Sequence, residues 1–494
     1  MRANYRANTA PQFRVLSEGQ LEELFLATLG LMESTGLELH NEEARTLLAA
    51  HGAWLDGIRV RIPSFLVRQA LATAPRRFTI CSWQGDPAKD ITISPNRPHW
   101  GPGPTCPMFF DPHTGERRAF MRRDSGLVAK VCDALANIDF VEGLSTISDV
   151  NVDLADSYEF AEMIANTGKP IVAWSYTLDG CRDIHQMAVA VAGSEEGFIR
   201  RPNYVFYCEP SSPLMCTEEA VDKAIYCARH RIPMIFTPCP IGGATAPATA
   251  AAHIVQAAAE SWLGLVVSQL INPGTPFFMG AVVSIMDMST MVLAYGAPEL
   301  SLFQAALTEL ARYAGLPLWS TGGCTDSKLV DEQAALEGAP SVFFSGLSGA
   351  DLIHDVGFVE SAMAGSLQQV VMMDEAIAMT KRILRGITVD EEMLALDVIK
   401  RVGPGGHYIS DAHTFKHFKG ELWRPRLMDR KRREEWEAEG SRTMGQRAQE
   451  RLDDILANYK TKPLPTGAQE KIAEILAVAE QRIAKAQGSA ERNP

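Results

Sequence analysis

The sequence predicts a (β/α)8 barrel with a helical N-terminal annex and a C-terminal helical extension. Between residues 97 and 355 a short apolar run, a turn and a helical stretch follow one another eight times. Strands alternating with helices read as βαβ units in a parallel sheet. Eight units in a stretch of about 250 residues is what a closed barrel requires. Pro or Gly breaks precede several of the runs, at Lys169-Pro170, Arg201-Pro202, Ile232-Pro233, Gly274-Thr275-Pro276 and Gly315-Leu316-Pro317, and polar loops follow them.

The annex is expected over residues 1–95. Ser17–Ser34 carries Leu21, Leu24, Phe25, Leu29 and Met32 at the spacing of one helix face, and Ser17 with Gln20 has the form of a capping box. Asn41–His51 reads as a second helix capped by Asn41, and Ile62-Pro63-Ser64 opens a third. Phe78–Trp83 and Asp90–Ser94 read as a small hairpin. The barrel is expected over residues 96–386. Its strands are His99–Gly103, Phe140–Thr146, Pro170–Tyr176, Tyr204–Glu209, Ile232–Cys239, Phe277–Ser284, Leu316–Gly322 and Asp351–His354. Helical periodicity marks Arg122–Ala136, Asp153–Asn166, Cys181–Val191, Glu218–His230, Ala248–Leu270, Pro298–Ala314, Val330–Ser345 and Leu367–Arg385, with Pro340 expected to kink or shorten the seventh. The extension, residues 387–494, holds amphipathic helices at Asp390–Arg401, Ser441–Tyr459 and Gly467–Lys485. Their charge suits a solvated face or a docking element. His407, His413 and His417 fall in a polar stretch that reads as a surface loop.

Composition excludes several classes. The chain has 494 residues, 47 Lys and Arg against 60 Asp and Glu, and a net charge of −13, which disfavours nucleic acid and anionic membranes as partners. Its nine cysteines form no CxxC pair, so a reducing, cytoplasmic setting is expected. No signal peptide and no membrane span are expected. No HExxH, closely spaced Cys/His set or phosphate fingerprint appears, so neither a bound metal nor a nucleotide is expected.

In a closed barrel the chemistry lies where the strands end. Those ends are aromatic: Trp174, Tyr176, Tyr207, Phe236 and Trp319 are the candidate substrate-binding residues. Each one also fits ordinary lumen packing. Together their ring faces suit a quaternary ammonium group, which has no N–H to donate. Glu209 is a candidate carboxylate for the same cation, or else a salt-bridge partner. The loop after the seventh strand holds Gly322 and Gly323, where backbone approaches a ligand or runs a tight turn, and Asp326 and Lys328 as catalytic candidates with Glu209 and His354. His354 ends the eighth strand, placed for acid–base work or for holding an anion.

Three segments carry a family resemblance. Ser320–Glu337 (STGGCTDSKLVDEQAALE), Asp351–Glu360 (DLIHDVGFVE) and Met372-Met373-Asp374-Glu375 resemble the trimethylamine:corrinoid methyltransferase family, and the likeness extends over nearly the whole chain. The resemblance implies a barrel that moves a methyl group from a methylated amine to cobalt(I) of a corrinoid carried on a separate small protein. No cofactor is then bound covalently in this chain. The archaeal trimethylamine member uses pyrrolysine. This chain has only standard residues and so resembles the branch without it, with the equivalent position in or near Cys324–Lys328. That branch includes glycine betaine methyltransferases, making glycine betaine the expected donor, with Lys328 and His354 for its carboxylate. A homo-oligomer is expected. Two other readings keep the barrel: a Zn–thiolate methyltransferase using Cys208, Cys239 and Cys324, and a non-catalytic betaine-binding protein.

Overall fold

A computed structural model describes residues 8–490. Seven parallel strands form its central sheet: β1 (His99–Trp100), β2 (Ile171–Ala173), β3 (Tyr204–Cys208), β4 (Met234–Phe236), β5 (Phe277–Gly280), β6 (Leu318–Thr321) and β7 (Leu352–His354). Their order is β1-β7-β6-β5-β4-β3-β2. Residues 139–141 fill the gap between β1 and β2. Asp139 donates its N–H to Trp100 O at 2.6 Å, and Val141 bridges to Ile171 in parallel. The sheet is therefore a closed eight-position barrel. The second position is not a regular strand as expected. The Asp139 carboxylate takes the Trp100 N–H at 3.0 Å in place of a carbonyl, and Leu144 turns the chain away at φ +68°.

Alternation along the strands divides their side chains between two layers. Phe140, Val172, Trp174, Val205, Tyr207, Ile235, Phe278, Trp319 and Leu352 pack together inside the barrel. Phe206, Phe236, Phe277 and Met279 face the surrounding helices. The expected hairpin is present as Thr79–Ile80 paired with Ile91–Thr92. Its Ile80, Ile91 and Ile93 join the lumen cluster and plug the N-terminal end, where Ser82 Oγ donates to Gly168 O at 2.6 Å.

The annex helices form as their caps dictate. Ser17 accepts from Gln20 N at 3.3 Å and the Gln20 side chain accepts from Ser17 N at 2.9 Å, closing the capping box of Glu18–Ser34. Asn41 caps Glu42–Ala50. The annex explains an apolar helix. Ala250–Ile271 is long and apolar enough to cross a membrane, yet most of it is buried. It packs inward on β4 and β5 and outward on Glu18–Ser34 and Ser64–Thr73, so it has no wet face to keep polar.

Pro340 lies inside the helix Glu332–Ser348 and does not shorten it; the helix runs three residues past the expected end. In the C-terminal extension, Met444–Asn458 docks on Leu367–Leu384 and Arg122–Ala134, and Thr466–Ala490 docks on Leu178–Ala192. Lys130 Nζ reaches Leu456 O at 2.7 Å and Arg482 pairs with Asp183 at 2.5 Å. These helices are thus docking elements within the chain. His413 and His417 sit on the helix Ala412–Glu421, not in a loop.

Gly264 of Ala250–Ile271 lies against the Phe236 ring, where a Cβ would overlap it. Gly264→Ala is expected to force helix and sheet apart and cost about 1–3 kcal/mol of stability. A denaturant midpoint unchanged from the parent would contradict this packing.

Candidate active site at the C-terminal mouth of the barrel

The strand ends place an aromatic box at the mouth. Trp174 and Tyr176 meet edge to face at 4.7 Å between ring centroids. Trp319 stacks on His354 at 4.4 Å and 24°, and Tyr207 stands 6.2 Å from Trp319 and 6.4 Å from His354. The pairing register sets Tyr207 one step beyond Phe206, which lies opposite Ala173, so the box is continuous across β2 and β3.

Carboxylates surround the box. Glu209 accepts from Tyr207 Oη at 3.3 Å. Its surface is open to water in the mouth, yet protein on every side solvates its charge poorly. Burial, reinforced by Asp355, raises its pKa to about 7 against the opposing effects of Tyr207 and Lys223. Glu159 reaches in from the helix Val152–Asn166 and accepts from Trp174 Nε1 at 3.1 Å. Burial pushes it well above the usual carboxylate range. Glu142 is fully buried and neither of its oxygens has a hydrogen-bond partner among the described residues. Burial, then Asp355 and Glu159, raise it too.

Asp355, which is 1% exposed, follows β7 in a left-handed conformation at φ +69°. That conformation is uncommon outside glycine and is a mark of functional sites. Gly103 makes room for it, since a Cβ there would collide with the Asp355 carboxylate. His354 Nδ1 stands 2.8 Å from Asp355 Oδ1 but off the line of a hydrogen bond, so neither atom is satisfied by the other. His354 Nε2 lies 3.2 Å from Thr321 Oγ1. The cation that offsets Glu209 is Lys223, whose Nζ already donates to Ser175 O at 2.5 Å. The mouth therefore combines π faces, whose quadrupoles suit a cation, with a set of acids of which Glu142 and Glu159 are held towards the neutral form by burial.

Six of the residues expected from sequence come together here: Trp174, Tyr176, Tyr207, Trp319, Glu209 and His354. Phe236 does not, because the alternation of β4 turns it outward onto Gly264. Gly322 and Gly323 serve as scaffold. The first donates its N–H to His354 O at 3.0 Å and the second to Ser341 Oγ at 2.9 Å. Asp326 ties loops together, accepting from Tyr295 N, Gly296 N and Ser361 Oγ at 2.7–2.9 Å. Lys328 is exposed, its Nζ on Asp326 O at 2.8 Å, and stays outside the box. Cys208, Cys239 and Cys324 do not converge into a ligand set among the described residues. Sequence reasoning misses Glu142, Glu159 and Asp355. Two signals point to them: Glu142 lies in the second strand run, and Asp355 directly follows His354.

Comparison with known proteins gives a consistent result. The trimethylamine methyltransferase (MTTB) family model matches residues 1–484. The trimethylamine methyltransferase MttB of Desulfitobacterium hafniense (strain DSM 10664 / DCB-2) is 34% identical over 465 residues, covering 93% of this chain and 92% of its own. The glycine betaine methyltransferase of Desulfitobacterium hafniense (strain Y51) is 30% identical, covering 94% and 97%. The monomethylamine methyltransferase of Methanosarcina barkeri shares the fold, with a TM-score of 0.50 at 9% identity over 96% of this chain and 88% of that one.

The unpartnered Glu142 yields a stability test. Its folded pKa lies above its unfolded one, so folding must take up a proton at neutral pH, and that penalty vanishes below the unfolded pKa. Glu142→Gln keeps the shape and removes the penalty. It is expected to stabilise the protein by at least about 1 kcal/mol at pH 7.5, with the gain fading near pH 4. Melting curves at both pH values check this, and destabilisation at pH 7.5 would contradict it.

Proposed function

The chain belongs to the trimethylamine methyltransferase (MttB) family, and from that premise we propose that it moves a methyl group from a cationic methylated amine to a corrinoid on a separate protein. The observation that carries this reading is the acid-lined aromatic box at the mouth. The corrinoid, as second substrate, supplies the nucleophile and the methyl-accepting chemistry. The residues of this chain then have three tasks. Trp174, Tyr207 and Trp319 hold the methylated nitrogen by their ring faces, each for about 0.5–2 kcal/mol. Glu209 and Asp355 add Coulomb attraction. The box fixes one methyl group toward the open mouth and keeps water from the rest. The breaking C–N bond leaves its electron pair on nitrogen, so a neutral amine departs and no general acid is needed.

The acid excess supports a narrower donor class. Glycine betaine brings a carboxylate within a few ångströms of its own cationic nitrogen, beside Glu209 and Asp355. Of the two residues expected for that carboxylate, His354 lies in the box and Lys328 outside it. These features favour trimethylammonium or a choline-like cation over glycine betaine. The cysteine arrangement gives no support to the Zn–thiolate reading.

The test is methylation of cob(I)alamin followed by its visible spectrum, with trimethylamine, choline, carnitine, proline betaine and glycine betaine in parallel. Conversion with trimethylamine or choline at least tenfold faster than with glycine betaine is expected. Binding of these donors by thermal shift without conversion of any would overturn the enzymatic reading in favour of a binding protein.

Glu209 also predicts a pH profile. The charged form attracts the donor and predominates above about pH 7. KM for the donor is expected to rise as pH falls through 7, with kcat less affected. Glu209→Gln should flatten the profile at a raised KM. A KM independent of pH in the parent enzyme would remove Glu209 from donor binding.

A further inference from the structure

Outside the mouth, three side chains converge that the proposed reaction does not use. His185 lies on the helix Leu178–Ala192, Glu195 in the first turn of Glu195–Arg200, and His230 at the C-cap of Glu218–Arg229. His185 Nε2 stands 3.1 Å from both Glu195 oxygens, and His230 Nδ1 stands 3.1 Å from Glu195 Oε1. All three donor atoms lie within 4.8 Å of one another. In the absence of an ion these contacts are hydrogen bonds from the two rings to one shared carboxylate. As a ligand set its two His–Glu separations of 3.1 Å are close to the about 3.3 Å between ligands of a tetrahedral ion with bonds of about 2.0–2.1 Å.

We propose that His185, Glu195 and His230 bind a divalent transition-metal ion of the Zn²⁺ class. Two imidazoles and one carboxylate are a donor set suited to Zn²⁺ and its neighbours. His185 is 2% exposed, so its ring is held in place by the surrounding helices. The Tyr204 hydroxyl stands 3.3 Å from His185 Nδ1, where it would accept the Nδ1 proton when Nε2 holds the ion. Tyr226 packs against the His230 ring, tilted by 34° with centroids 4.2 Å apart, and limits its orientation. The neighbouring Asp183 is held by Arg482 and is not a ligand. His185 and Glu195 border a cavity of about 560 Å³ under the helix Thr466–Ala490, which gives the ion access and leaves its fourth position to water. Tyr204 opens β3, so the site lies at the end of the barrel away from the mouth. Its role is to pin three peripheral helices together.

The experiment uses the full chain stripped by chelator dialysis. Co²⁺ is titrated and followed by its visible d–d absorption, then displaced by Zn²⁺. One equivalent per chain is expected, with a rise in melting temperature. Glu195→Gln and His230→Ala, both at positions that touch solvent, should each weaken binding at least tenfold while retaining the parent fold by circular dichroism. Absence of Co²⁺ bands in the parent chain would overturn the proposal. So would unchanged affinity in both variants, which would place the ion elsewhere.

Discussion

A strand in a closed parallel sheet sends every second side chain inward, and the organisation of this protein depends on that constraint. One set of residues fills the lumen and the other meets the helices, so a single-residue step decides whether an aromatic ring faces a ligand or the core. Tyr207 and Phe236 show the difference. Both are aromatic and both lie near the ends of adjacent strands. Tyr207 enters the box, while Phe236 packs on Gly264. The plug of Ile80, Ile91 and Ile93 closes the far end of the lumen, so the mouth is the end at which the lumen opens to solvent.

The mouth is destabilised by what gives it chemistry. Glu142, Glu159 and Asp355 are buried acids with few donors, and such groups cost free energy on folding. Elsewhere, multiply bonded charged groups tie the periphery together. Lys169 Nζ donates to the carbonyls of Cys132, Leu135 and Ile138 at 2.6–2.7 Å, tying a barrel helix to the following strands. Glu375 accepts the backbone N–H groups of Arg426, Leu427 and Met428, anchoring the start of the C-terminal segment. Well-satisfied surroundings let a strained, under-paired site persist.

Hydrophobic periodicity makes the barrel legible in the amino-acid sequence: all eight strand runs fall on barrel positions and the helix boundaries agree within a few residues. Local chemistry makes the caps legible at Ser17 and Asn41. The site is legible only as far as its residues lie on the strands. Glu159 arrives from a helix, and nothing in its own neighbourhood in sequence points to Trp174. Asp326 and Lys328 lie in the right loop but spend their polar atoms on holding it. The His185–Glu195–His230 cluster is hidden for the same reason: its histidines stand 10 and 35 residues from Glu195, far from any metal-motif spacing.

Relatives of this chain are named for both trimethylamine and glycine betaine, so the shared barrel cannot by itself explain donor choice. Shape alone discriminates weakly between donors that share an N-methyl head group, since an added or missing methylene is worth only about 1–3 kcal/mol in an apolar pocket. Charge is a stronger discriminator. A carboxylate placed about 4 Å from a like charge at an effective dielectric of about 20 meets a repulsion of about 4 kcal/mol. The sign of the charge at the mouth therefore outweighs its contour. In this chain the acids that face the opening are Glu209 and Asp355, with Lys223 committed to a backbone carbonyl. On the proposed reading, a donor whose positive charge is not cancelled by its own carboxylate suits such a mouth better than one that carries both.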